Sequence, residues 1–413
     1  MSPSSALSLY TVLPFAFMLL SIAVFPLWIP RWWERNFIKF LVAGLLGLPV
    51  LALYAMWAPD VLVRTGEEYV SFIVLLAALY VISGGVLLRG DLVATPLTNT
   101  GFLAAGSVLA SVVGTTGASM LLIRPLLQTN RQRARVKHTV IFFIFLVSNI
   151  GGMLTPLGDP PLFLGHLKGV PFTWTFRLLP HWLLMVGVLL LVYFVWDSTQ
   201  YMRERFEAIS RDRTRLEPLR VRGAWNMLWL AGVVLAVAFL REPVRELAML
   251  ALTAISLWRT PWEIRQSNGF TAHPIVEVAV IFFGIFLTMI PALDLLRARG
   301  HDLGVREPWQ FFWATGALSS FLDNAPTYLT FLALGQSLGL PADVVGVPGV
   351  ILAAISVGAV AMGANTYIGN APNFMVKSIA EEAGVRMPSF FGYMIYSGLV
   401  LIPLFVAATF LFF

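Results

Sequence analysis

The chain of 413 residues contains no cysteine. That excludes disulfides, thiolate metal ligands and a cysteine nucleophile, and leaves the redox compartment unreadable. Charge is scarce as well: Lys, Arg, Asp and Glu make up only 12% of residues, roughly half the usual share of a soluble domain. The five histidines, His138, His166, His181, His273 and His301, are dispersed, with no zinc-type pair on one helical turn. No metal site and no HExxH signature follow from them. The paired histidines or clustered aspartates that membrane-embedded proteases and prenyl-transfer enzymes need are missing too. The chain is not expected to be an enzyme, and no cofactor is expected.

What it has in quantity is apolar length. Hydrophobic residues reach 58%, which points to the lipid bilayer as solvent. The formal net charge of +6 does not read as nucleic-acid binding, because the basic residues fall in short clusters between apolar runs. There they serve as topology signals. Met1 to Tyr10 lack a basic n-region and a small-residue cleavage site, so the first apolar stretch reads as a retained span.

A crossing helix needs about 20 apolar residues. Spans are predicted near 8–28, 37–58, 69–88, 139–168, 179–197, 224–240, 245–258, 274–296, 347–379 and 389–413. Two further stretches, 100–128 and 309–335, carry Gly, Thr, Asn or Pro near their middles and predict helical hairpins that enter and leave on one side. Broken backbone at membrane depth must be buried in protein or line a wet cavity, since lipid cannot satisfy its freed peptide groups. The fold class is therefore an all-α polytopic membrane protein of about ten transmembrane helices plus two re-entrant hairpins.

Positive charge orients it. Arg131, Arg133, Arg135 and Lys137, and the seven arginines between Arg203 and Arg222 against four acids, fall on the cytoplasmic side. A 59–68 loop with Asp60, Glu67 and Glu68 against Arg64 falls outside, whereas Arg297, Arg299 and Arg306 run against the rule.

The chain also repeats itself. Thr155 to Phe163 (TPLGDPPLF) matches Thr366 to Phe374 (TYIGNAPNF) at an offset of 211, with Asp159 opposite Asn370. The hairpins align at 209: Ala110 to Leu122 (ASVVGTTGASMLL) lies against Ser319 to Phe331 (SSFLDNAPTYLTF), with Gly114 opposite Asp323 and Thr115 opposite Asn324. Five crossings separate the equivalent first spans at 69 and 274, and an odd number inverts the second copy. The organisation is then 1–68 as N-terminal spans, 69–197 and 274–413 as inverted repeats with broken helices 139–168 and 347–379, and 198–273 as a basic loop with linking spans. Both hairpin tips and both breaks would meet near the midplane, which is how many secondary transporters build a binding site.

The motifs SNIGGMLTPLGDPPLF (Ser148 to Phe163), SSFLDNAPTYLTF (Ser319 to Phe331) and GANTYIGNAPNF (Gly363 to Phe374) resemble those of the ion transporter superfamily. That group includes NhaD-type sodium/proton antiporters, arsenite permeases, and citrate and dicarboxylate carriers. The nearest likeness is to the branch of citrate transporters and sodium/proton antiporters. Family hairpins often carry Asp-Asn in both halves, but here the first has Gly114-Thr115, so a first-hairpin carboxylate role has no residue to perform it. The resemblance implies a secondary active carrier, sodium/proton exchange by alternating access or cation-coupled citrate transport. It also implies elevator-like movement of 89–168 and 309–379 against the other spans, in a homodimer. A multi-pass protein of a bacterial inner membrane is expected.

A carboxylate in hydrocarbon is costly, about 2.5–3.5 kcal/mol on insertion scales, so intramembrane acids are functional candidates. Asp159 and Asp323 stand at helix breaks, where freed carbonyls and Thr or Asn oxygens can replace the hydration shell of sodium. The same carboxylate can take a proton, so Na⁺ and H⁺ would compete for it. Each is also a natural N-cap, Asp159 before Pro160 and Asp323 before Asn324. Asn149, Thr155, Thr366 and Asn370 read as ligand-shell or break-stabilising groups, joined by Asn324, Thr327, Asn365 and Asn373. Thr115 and Thr116 form a small hydroxyl-rich tip that suits an ion or simply close packing. Arg124 reads as a counter-charge to a carboxylate, a group that binds an anionic substrate, or a snorkelling cation. Glu277, four residues after His273, reads as a proton-transfer group, a charge partner or an interfacial acid.

Overall fold

A computed structural model describes residues 9–214 and 217–413. Met1 to Ser8, and Arg215 of the basic loop, lie outside the described residues. Eight helices are long and apolar enough to cross a membrane. Seven coincide with expected spans: Leu9–Pro26, Asn36–Trp57, Pro59–Ser83, Lys137–Leu154, Phe172–Tyr201, His273–Leu303 and Phe390–Phe412. The eighth, Pro96–Val113, is the outgoing arm of the first hairpin. The remaining expected spans are shorter helices, Trp225–Phe239, Val244–Arg259 and the broken Gly349–Met362 with Ala371–Glu382.

The 59–68 segment is not a loop. It forms the first turns of the 25-residue helix Pro59–Ser83, with Pro59 at its start and Asp60 in the first turn. At 1.5 Å per residue that helix spans about 37 Å, longer than the hydrocarbon core of about 30 Å, so its polar turns project beyond it. Lys168, at the end of Pro160–Leu167, anchors these turns, its Nζ 2.6 Å from Glu68 Oε1. A second departure is a pair of antiparallel strands, Leu87–Asp91 and Glu217–Arg222, in the register Leu87 to Arg222 and Arg89 to Arg220. The helix stops at Gly84, and the chain leaves it extended, pairing with the basic loop 130 residues downstream.

Two groups of helices build the molecule. In one, Asn36–Trp57, Pro59–Ser83, Trp225–Phe239, Val244–Arg259 and His273–Arg299 pack on each other, with Leu13–Trp28 against the last. The other contains both hairpins and both breaks. The helices Leu179–Tyr201 and Phe390–Phe412 pack into this second group, not with the spans the resemblance assigned as their company. The bonds explain why. Buried Asp197 accepts from Arg133 Nη2 (2.6 Å), His138 Nε2 (2.7 Å) and Asn99 Nδ2 (3.3 Å), all in or beside the first hairpin. Tyr393 donates to Ala364 O (2.8 Å) and Ser397 to Asn365 O (2.7 Å) at the second break. The groups meet where His273–Arg299 and Pro59–Ser83 lie against the return arms of the hairpins.

Candidate functional site

The first hairpin runs Pro96–Val113, turns at Gly114 and returns as Thr115–Thr129. Gly114 has φ +83°, a conformation that favours glycine because it has no Cβ. The second hairpin runs Pro308–Ser319 and returns as Asn324–Ser337. Each arm clasps the break beside it through hydroxyls. In the first half Ser111 donates to Gly151 O (2.5 Å), and Thr155 donates to Ser111 O. In the second half Ser320 donates to Met362 O (3.1 Å), and Thr366 donates to Ser320 O (2.5 Å). These are repeat counterparts, bond for bond. Thr155 and Thr366 are therefore occupied in holding the breaks: each also accepts from the amide two residues on, at 3.2 Å.

The breaks end on Asp159 and Asn370, the residues before the half-helices Pro160–Leu167 and Ala371–Glu382. Asp159 is 1% exposed. Its Oδ1 accepts from Thr115 Oγ1 at 2.8 Å and Asn370 Nδ2 at 3.1 Å, and its Oδ2 accepts from Asn324 Nδ2 at 2.5 Å. One carboxylate thus gathers the first hairpin tip, the second hairpin tip and the second break. It makes no capping bond to its own half-helix. Among the described residues it has no cationic partner in any salt bridge. Asn324 is fully buried, and its Oδ1 has no hydrogen-bond donor.

Asp323 behaves differently: it caps Asn324–Ser337 by accepting from Ala325 N at 3.1 Å. It precedes Asn324, which donates to Asp159. Asn149 holds the two breaks together, donating to Asn373 Oδ1 at 2.7 Å and accepting from Asn370 Nδ2 at 3.3 Å. Asn373 in turn donates to Gly363 O and Thr366 O, both at 2.8 Å. Thr116 faces a cavity of about 80 Å³ that reaches Asp159 beside Gly114 and Thr115, walled by Leu76 and Leu79. At about 30 Å³ per water, this is room for two or three waters.

Two candidates stand elsewhere. Arg124 donates from Nη1 to Asn268 O at 2.8 Å, which ties the hairpin to the loop after Trp262–Ser267. Glu277 takes Lys39 Nζ at 2.6 Å, and that ammonium is itself 2% exposed and lies over the Trp33 ring. The acid serves there as a charge partner. Glu277→Gln is expected to lower stability by about 1–3 kcal/mol, the loss of a charge-assisted bond at a buried lysine. Adding Lys39→Met should restore most of the melting temperature; a double variant as unstable as the single would reject the pairing account.

Sequence reasoning passed over Ser111, Ser320 and Ser148, the last of which shares a bond of 2.8 Å with Ser119 near the first hairpin tip. The signal was present, since Ser111 and Ser320 recur at the hairpin offset of 209. No comparable sign marks the buried Asp197 cluster, whose members come from three separate segments.

No curated protein matches the chain. The family described as "Putative citrate transport" matches residues 4–413, so the match takes in both hairpins, both breaks and the helices that carry them. The chain belongs to this citrate-transport family, within the ion transporter superfamily, and is an integral multi-pass membrane transporter.

Proposed function

We propose that the protein is a secondary active carrier whose coupling ion binds at Asp159, and that it exchanges sodium for protons by alternating access. One observation carries this: a buried carboxylate that has three neutral donors and no cationic side chain, beside the unpartnered Oδ1 of Asn324. Three donors stabilise the negative charge, but the charge itself is left for a cation or proton to neutralise. The Asn324 oxygen supplies a further hard ligand, of the kind sodium takes in place of water. The cavity beside it admits an ion with part of its hydration shell and is small for a tricarboxylate. Asp323 adds a second negative charge at the same tip.

Cation-coupled transport of citrate or another carboxylate is the second reading, and the family description favours it. The two separate in proteoliposomes carrying a pH gradient. Na⁺ or Li⁺ alone is expected to dissipate the gradient, with K⁺ inert. A response that requires citrate would move the chain to carboxylate transport. Silence to every addition across pH values from about 6 to 9 would remove sodium/proton exchange and proton-coupled carboxylate transport.

A further inference from the structure

At the basic end of the hairpin group lies a hollow of about 930 Å³. Four stretches of chain wall it: the end of the first hairpin's return arm with the linker beyond it, the end of Leu179–Tyr201, the end of Ala371–Glu382 with the loop after it, and Tyr396 of Phe390–Phe412. Arg124, Arg131, Arg135, Lys137 and Arg386 face into it, with Glu382 the acid among its walls. Arg133, also in the wall, is spent on Asp197 at 2.6 Å. The other five cations are not spent in this way. Arg124 gives a hydrogen bond to the carbonyl of Asn268, and Arg135 gives one to Gln200 Oε1 at 3.2 Å. Arg131, Lys137 and Arg386 are exposed, and no ion pair engages them among the described residues.

Topology signalling accounts for positive charge on this side of a membrane. It does not account for convergence, because Arg131 and Arg386 come from segments 255 residues apart and line one concave space. Like charges brought together in one concavity raise the local concentration of anions and are themselves relieved when one binds. Guanidinium groups suit oxyanions in particular, since their forked donors match carboxylate and phosphate oxygens. The hollow is also aligned with the central site. Arg124 and Thr115 share one helix, nine residues apart, which places them about 14 Å from each other along it.

We propose that this hollow is a binding site for a multivalent oxyanion, a polycarboxylate or a phosphate group, distinct from the Asp159 centre. It goes beyond the transport reading, because it holds whichever ion Asp159 takes. A monovalent anion gains too little from one or two of these groups, whereas a trivalent one engages several at once.

The test uses the full-length chain in nanodiscs of phosphatidylcholine, titrated calorimetrically with citrate and with acetate at about 10 mM salt, where charges act over about 30 Å. Citrate is expected to bind and acetate not. Arg131→Gln/Arg386→Gln should weaken citrate about tenfold at unchanged melting temperature, since both side chains are exposed. Asp159→Asn should leave this affinity within about threefold, because the hollow does not contain that carboxylate. Phosphatidylglycerol nanodiscs separate the sources. If a lipid phosphate fills the hollow, citrate heat disappears there, and the wild type retains more phosphatidylglycerol through detergent extraction than the double variant does. Citrate affinity that is lost in Asp159→Asn, or unchanged in the double variant, overturns the proposal. So does an absence of citrate binding combined with equal lipid retention.

Discussion

Asp159→Asn is expected to reduce ion-driven transport about 100-fold while the chain still folds. Among the described residues, the carboxylate is the one charged group that accepts from both hairpin tips and the second break. On the proposed exchange, removing its charge removes a contact to the transported cation worth about 2–3 kcal/mol, which corresponds to roughly 30- to 150-fold in affinity. It also removes the oxygen that, on the same reading, takes the proton on the return step, so both halves of an exchange cycle fail together. The fold survives for a reason visible in the site. The new amide keeps one oxygen for Thr115 and Asn370, and its NH₂ would meet the NH₂ of Asn324. Asn324 relieves that clash by rotating its amide, because its Oδ1 has no donor to lose. What is left is one buried donor without an acceptor, a cost of about 1–3 kcal/mol. The expected signature is therefore a modest fall in melting temperature with transport near the level of protein-free liposomes. Transport within about threefold of wild type would mean that coupling lies elsewhere, with Asp323 the next carboxylate to test.

The sequence exposes this site because its residues recur. Asp159 and Asn370 are repeat counterparts, as are Thr115 and Asn324, and self-similarity alone places all four at two tips and two breaks. The structure joins them into one cluster, with three of them donating to the fourth. Repeat position does not reveal which polar groups hold backbone and which are free. Thr155 and Thr366 read equally as ligand-shell or break-stabilising groups, and only the structure shows their hydroxyls donating to Ser111 O and Ser320 O. Asp159 and Asp323 look alike as helix caps, but only the second makes the capping bond. Elsewhere hydropathy misplaces what depends on distant partners. The polar turns after Pro59 read as a loop because a window average cannot distinguish a helix extending beyond lipid from a chain leaving it. Leu87–Asp91 reads as the end of a span because its strand partner lies in the basic loop. Asp197 ends the expected span 179–197 with no sign of its role, although Asn99, and Arg133 with His138, reach it from two other segments.

Gly158→Ala is expected to cost about 3 kcal/mol or more, the upper end of what overpacking does in a filled interior. A Cβ at Gly158 would lie 2.0 Å from Gly152 O and 2.6 Å from Gly152 C. Both are backbone atoms, so no rotamer change relieves the clash, and the break itself must open. The contact is reciprocal, since a Cβ at Gly152 would lie 2.7 Å from Gly158 O. The second half repeats the arrangement more loosely: a Cβ at Gly369 would lie 2.6 Å from Gly363 O, and one at Gly363 would lie 3.2 Å from Gly369 O. Gly152 and Gly363 stand at the same offset of 211 as Gly158 and Gly369, so each break is a loop of chain pressed against its own start. The expected order of destabilisation is Gly158→Ala, then Gly369→Ala, then Gly363→Ala, measured as apparent melting temperature in one detergent. Gly158→Ala should also lose transport out of proportion to its stability. Gly158 O accepts from Thr115 N at 2.8 Å, so opening the break draws away the residue whose hydroxyl donates to Asp159. Equal melting of Gly158→Ala and wild type would show that the two backbone segments are not in contact. Loss of stability with full transport in the surviving protein would show that the break can open without disturbing the carboxylate.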